Sequence, residues 1–221
     1  MPPLSPTGPP PSDDADRALA ALRTTESWNH NTHYHRLIPR LVRPPYGRVL
    51  DVGCGEGLLT RRLAPFATQV TGVDSSAETV ARARAGATDD RLTYVCGDVL
   101  TTALDGPYDL VTCFAVLHHL DFRAGLVRLR ELTAPGGTLL VVGLALPSDL
   151  GDWTMGALAL PAARLARRRR EEWDPAVPTT DATTRLRRLR IAAREVLPGS
   201  RLRRRLYWRY SITWRAPTGA R

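Results

Sequence analysis

A run of glycines flanked by acids carries the chemistry most legible in this chain. The segment Val49-Leu50-Asp51-Val52-Gly53-Cys54-Gly55-Glu56-Gly57 is an apolar stretch that ends in a glycine-rich turn. Glycines let a backbone turn sharply and let a ligand approach the main chain closely. A helix opening behind such a turn adds outward N–H groups and partial positive charge. Asp74 closes a second apolar stretch, 23 residues after Asp51. A carboxylate there suits a bidentate bond to a ribose diol.

The spacing separates two kinds of ligand. A dinucleotide fingerprint reads G-x-G-x-x-G, but here Leu58 stands in the third place and the pattern is G-x-G-x-G. Glu56 puts a second acid in the turn and disfavours a pyrophosphate. An acidic turn suits a ligand with a cationic centre and an ammonium group, and S-adenosylmethionine carries both.

These residues need strands and helices to hold them. Arg48–Val52, Gln69–Val73, Leu92–Val95, Tyr108–Cys113 and Thr138–Val142 read as strands. Glu56–Leu63, Ser76–Ala85 and Arg123–Leu132 read as helices between them, and Pro135-Gly136-Gly137 as a turn. Apolar runs without alternation imply strands covered on both faces. Strand–helix alternation with short connections implies a doubly wound α/β sheet, mostly parallel. In such sheets ligands bind at the carboxyl ends of the strands. Later, Thr183–Leu197 reads as a helix with Leu186, Leu189, Ala193 and Val196 on one stripe. Leu206–Trp214 alternates as a strand, with Trp208, Tyr210, Ile212 and Trp214 on one face. Arg201–Leu206 is its candidate hairpin partner.

At this point the sequence resembles the class I S-adenosylmethionine-dependent methyltransferases, of the bacterial small-molecule type. VLDVGCGEG is similar to that family's first motif, GVD at Gly72–Asp74 to its second and CGDV at Cys96–Val99 to its third. YDLVTCFAVLHHL at Tyr108–Leu120 resembles the fourth and LTAPGGTLLVV at Leu132–Val142 the fifth. The resemblance spans about residues 30–145, in order. It implies a Rossmann-like, seven-stranded, mostly parallel sheet with an antiparallel C-terminal strand. It also implies S-adenosyl-L-methionine as the cofactor. Gly53, Cys54 and Gly55 would face its methionine part. Asp51 would hold the amino group, directly or through water. Asp74, with Ser75 beside it, would bind the ribose. Asp98 would accept from the adenine amino group, the Val99 amide would face the ring, and Phe114 and Ala115 would lie near the reacting methyl.

Methyl transfer needs alignment above all, and a general base only where the acceptor loses a proton. Histidine is the usual choice near neutrality. His118, His119 and His33 are the candidate bases. His118 and His119 follow the fourth strand, while His30, His33 and His35 lie with Tyr34 in an N-terminal region placed to cover the pocket. The blander reading has His118 and His119 capping or packing under a loop. Trp28, Tyr34 and Trp153 are the candidate pocket lining. No carboxylate or cysteine accompanies the HxxHYH run in a metal-binding spacing, so no metal is expected. Cys54, Cys96 and Cys113 read as small buried residues.

The acceptor is expected to be a small molecule. After the fourth strand the chain reads Thr112-Cys113-Phe114-Ala115, not the Asn/Asp-Pro-Pro-Tyr/Phe of exocyclic-amine nucleic-acid methyltransferases. Arg43-Pro44-Pro45-Tyr46 matches those letters but precedes the first strand. An RNA-modifying enzyme and a silent binding module are the alternatives. Steep salt dependence of RNA binding would mark the first.

Composition sets the remaining bounds. The chain has 221 residues, 43% hydrophobic and 24% charged, with a net charge of +9 carried by arginine and no lysine. Three cysteines fit a reducing compartment, no apolar run is long enough to span a bilayer, and no signal peptide is visible. A cytoplasmic protein is expected. The charge is local. Residues 1–150 hold 14 arginines against 16 acids, and residues 151–221 hold 17 against 6. The clusters Arg167–Arg170 and Arg203–Arg205 could meet an anionic partner; a solvated face is the simpler reading, and membrane contact the lesser one. The organisation expected is a Pro-rich disordered tail over 1–14 and a helical lid over 15–45, with helices at Ala15–Trp28 and Thr32–Val42. A cofactor core over 46–145 follows, then a variable substrate cap over 146–180 and C-terminal elements over 181–221.

Overall fold

The computed structural model describes residues 32–38, 45–146, 184–205 and 209–218. The Pro-rich tail, the helix at Ala15–Trp28, the cap at 147–180 with Arg167–Arg170, and Trp28, Trp153 and Trp208 lie outside them. Seven strands form one sheet: β1 (Tyr46–Val52), β2 (Ala67–Asp74), β3 (Leu92–Cys96), β4 (Tyr108–Phe114), β5 (Thr133–Leu144), β6 (Arg201–Arg205) and β7 (Arg209–Arg215). Their spatial order is β3-β2-β1-β4-β5-β7-β6. Strands β1 to β5 pair in parallel, and β7 runs antiparallel to both of its neighbours. The topology is the one expected, down to the reversed last strand.

Successive residues on a strand point to opposite faces, and the sheet sorts its apolar side chains that way. Val49, Leu110, Leu140 and Val142 join one cluster, which includes Leu59 and Leu63 of α1 (Leu58–Leu63) and Tyr34, Leu37 and Ile38 of the N-terminal segment. Leu50, Val52, Val111, Cys113, Leu139 and Val141 join the other, against α3 (Phe122–Leu132) and α4 (Leu186–Val196). Both faces are covered, which is why these strands read as unbroken apolar runs. In α4 the buried residues are Leu186, Leu189, Ala193 and Val196, the stripe read from the sequence. Each of these leucines stabilises the fold by roughly 1.5–3 kcal/mol, as an upper estimate. Side-chain caps begin α2 and α3. Ser76 Oγ accepts from Thr79 N at the start of α2 (Ala77–Ala85), and Asp121 accepts from Ala124 N at 2.7 Å at the start of α3.

The structure departs from the sequence reading in four places. The first helix begins at Leu58 rather than Glu56, because Gly55 and Gly57 have φ of 51° and 76°, outside the right-handed helical region. Pro135-Gly136-Gly137 is not a free turn but part of β5, where the pairing with β4 jumps from Tyr108↔Thr133 to Leu110↔Thr138. Gly137 is required there: a Cβ would lie 2.8–3.1 Å from three carbonyl oxygens. Thr32–Leu37 is a 3-10 turn rather than α-helix, and the expected helix beyond Ile38 lies outside the described residues. Ser211 is as buried as Tyr210 and Ile212, so the outward face of β7 is covered too, on its inner half.

Candidate active site

The turn after β1 is pinned to β2: the amides of Gly53 and Cys54 both donate to Val73 O, at 2.8 and 3.1 Å. Gly53 has φ of 69°, and a Cβ there would sit 1.9 Å from a Val116 methyl, so only glycine lets the β4 loop approach this closely. Gly55, also at positive φ, is different. Nothing lies within 4 Å of where its Cβ would be, so open space stands over the turn.

Acidic groups stand at this end of the neighbouring strands. Asp74 ends β2; its Oδ2 accepts from Gly55 N at 2.9 Å and its Oδ1 from Ser76 N at 2.9 Å. Asp98, beyond the end of β3, is exposed and accepts from Leu100 N at 2.9 Å. Val99 beside it is buried. Ser75 is exposed. Glu56 is held by Arg82, whose Nε donates at 2.9 Å, so its charge in the turn is partly compensated.

Asp51 lies below the turn and is 2% exposed. Its Oδ1 accepts from Thr112 Oγ1 at 2.9 Å and its Oδ2 from Thr60 Oγ1 at 2.8 Å. Burial pushes its pKa up to about 6, against the lowering effect of the two hydroxyls. Thr60 and Thr112 were not foreseen. Thr112 faces Asp51 in the β1–β4 register, and its sequence signal is a hydroxyl in the middle of an apolar strand.

On the β4 side, Phe114 is buried. Ala115 turns the chain off the strand at φ 57°, a conformation that costs a non-glycine residue roughly 1–2 kcal/mol. Its amide donates to Val142 O at 2.7 Å. His118 and His119 follow on a 3-10 turn (Leu117–His119), their rings 4.1 Å apart. His119 is exposed. His118 is half-buried, and its Nδ1 is buried with no hydrogen-bond partner. Its pKa is lowered to about 4, first by burial and then by the charges of His119 and Arg209. Arg209, at the start of β7 opposite Leu144, is a half-buried cation that the sequence does not connect with this site.

The described part of the N-terminal segment packs beside Phe114. His35 is buried edge-on to Phe114, ring centroids 5.5 Å apart. Arg62 Nη1 stands 3.3 Å from His35 Nδ1. Arginine only donates, so Nδ1 accepts and Nε2 carries the proton. Burial and the Arg62 charge lower the His35 pKa to about 3. Tyr34 is packed in the same cluster, its phenol beside Arg209. The side chain of His33 lies outside the described residues.

Cys54 and Cys113 are buried, and burial raises both thiol pKa values. Cys96 corrects the sequence reading: it is exposed, because β3 is an edge strand with little packed beyond its end. Among the described residues no group of three or more His, Cys, Asp and Glu side chains is placed to hold a metal. No helix among them is long and apolar enough to cross a membrane.

The comparisons with known proteins agree on one family. A family model described as a methyltransferase domain matches residues 49–137. An uncharacterised methyltransferase of Mycobacterium tuberculosis is 38% identical over 196 residues, covering 87% of this chain and 98% of the relative. A ubiquinone biosynthesis O-methyltransferase of Rhodopseudomonas palustris is 32% identical over 155 residues, 67% of this chain and 59% of the relative. Among solved structures, the N-methyltransferase NodS of Bradyrhizobium japonicum, in complex with S-adenosyl-L-homocysteine, has the same fold. Its TM-score is 0.58 at 16% identity, covering 93% of this chain and 100% of that one.

Proposed function

The chain belongs to the class I S-adenosylmethionine-dependent methyltransferases, and from that premise we propose that it methylates a small molecule at a hydroxyl oxygen. One observation carries the cofactor half of this reading. Asp51, Asp74 and Asp98 sit at or near the carboxyl ends of three adjacent strands, and Asp74 holds the Gly55 amide of a turn with open space over it. That is where an open α/β sheet binds its ligand.

The donor set fits the cofactor. Gly53, Cys54 and Gly55 line its methionine part. Asp74 and Ser75 take the ribose hydroxyls, Asp98 the adenine amino group, and the Val99 amide faces the ring. Asp51 acts on the ammonium group through water, because its carboxylate is buried below the turn and held by two hydroxyls. Phe114 and Ala115 stand near the reacting end. When bound, the cofactor supplies a sulfonium methyl: the acceptor oxygen takes it, the C–S electron pair stays on a neutral thioether, and the acceptor's proton is left for the protein to receive.

His118 is the group that receives it. With a pKa of about 4 the imidazole is neutral at ordinary pH and ready to accept. A base that weak suffices, since an oxygen acquiring a methyl group becomes a strong acid. His119 is exposed beside it and can pass the proton to water. The relative named as an O-methyltransferase supports an oxygen acceptor. Turnover of labelled S-adenosylmethionine with a cell extract, with mass detection of the product, tests the reading. His118→Asn should lower kcat about 100-fold or more and leave cofactor affinity unchanged. Undiminished kcat in that variant removes His118 from the chemistry.

A further inference from the structure

Beside the cofactor turn, the carboxyl side of the sheet holds a second concavity. A cavity of about 300 Å³ lies between the N-terminal ends of α3 and α4, with His118 in its wall. Its other walls combine apolar residues, among them Leu120, Phe122, Leu144 and Leu189, with Asp121, Arg123, Thr184 and Arg188. The volume is at the low end of the roughly 300–1,000 Å³ typical of ligand sites, the size of one substituted ring.

The polar groups in the lining differ in how far they are engaged. Asp121 caps α3 by accepting from Ala124 N, and Arg123 is ion-paired with Glu195. Arg188 is exposed and makes no ion pair among the described residues. The half-buried ring of His118 lines the cavity, with its Nδ1 buried and unpartnered behind it. The lining thus presents an apolar body, one hydrogen-bonding imidazole and one available cation. Arg123 is neutralised by Glu195, so Arg188 in the lining and Arg209 beside His118 outnumber the one carboxylate, Asp121, and the balance favours an anion over an ammonium acceptor.

We propose that this cavity is the acceptor subsite and that it takes a single-ring hydroxylated carboxylic acid. The ring lies between α3 and α4, the hydroxyl faces His118 and the carboxylate meets Arg188. The assignment rests on the methyl-transfer reading above.

The test titrates the protein, saturated with S-adenosylhomocysteine, with 3,4-dihydroxybenzoate, its methyl ester and the uncharged catechol. The acid should bind about tenfold more tightly than either neutral compound, the worth of one charge-assisted hydrogen bond. In Arg188→Gln, an exposed position where the fold is not at stake, that preference should vanish. Ala192→Trp, which fills the cavity, should abolish binding of the acid and leave S-adenosylhomocysteine binding intact. Equal binding of acid and ester, no saturable binding of any of the three, or unchanged binding in Ala192→Trp overturns the proposal. Failure of the wild type to bind S-adenosylhomocysteine would instead sink the methyl-transfer reading.

Discussion

At the scale of single residues, Asp51 and Gly55 show how the turn works. Asp51 is buried and its pKa is pushed up to about 6. A cationic ligand favours the ionised carboxylate, so affinity for S-adenosylmethionine should fall as pH drops below about 6. In Asp51→Asn the affinity should be lower and flat between pH 5 and 7, because nothing is left there to titrate; titration calorimetry at several pH values checks both. A wild-type affinity independent of pH would separate Asp51 from the ammonium group. Gly55→Ala places a methyl in the open space over the turn, at φ 51°. The left-handed backbone costs roughly 1–2 kcal/mol, which a folded domain survives. The variant should melt slightly earlier but bind cofactor far more weakly; an unchanged affinity would mean that the space is not the cofactor's.

At the scale of elements, the N-terminal 3-10 turn is tied to the sheet through a buried neutral histidine, and this sets a pH dependence. The folded pKa of His35 is about 3 against an ordinary 6.5. The unfolded chain therefore takes up a proton that the folded chain refuses, and stability falls as pH drops from 6.5 toward 3. His118 adds in the same direction above about 4. Asp51 opposes it between 3.8 and about 6, where the folded state holds the extra proton. Melting curves should show Tm falling from pH 7 to pH 4.5, and falling less in His35→Gln, which keeps an acceptor for Arg62. Parallel slopes would show that His35 is not the group responsible. The elements themselves were largely legible. A parallel sheet writes itself as apolar runs separated by amphipathic helices, and β1 to β5 follow that rule. What escaped was set by contacts distant in sequence. Thr112 meets Asp51 only through the β1–β4 register. Pro135–Gly137 looks like a loop locally, yet a shift in the pairing with β4 absorbs it into β5. Cys96 reads as a core residue until β3 proves to be the edge of the sheet.

At the scale of the molecule, the excess positive charge belongs to one end of the sheet. The edge strand β6 is Arg-Leu-Arg-Arg-Arg, and an arginine-rich edge discourages pairing with another chain. Arg205 also donates to Ser211 across the β6–β7 pair at 2.9 Å. On the outer face of α4, Arg187, Arg188 and Arg194 are exposed. The cofactor turn follows β1, four strands away from β6 in the sheet order, so the arginine-rich edge strand and the acidic turn are spatially separate features of one fold. The central claim concerns that acidic site. Titration calorimetry of the wild type and Asp74→Ala with S-adenosylmethionine, and of the wild type with NAD, tests it most directly. The account predicts saturable binding of S-adenosylmethionine, a loss of roughly 1–3 kcal/mol in Asp74→Ala and no binding of NAD. Binding of NAD in place of S-adenosylmethionine, or an Asp74→Ala variant with wild-type affinity, would contradict it.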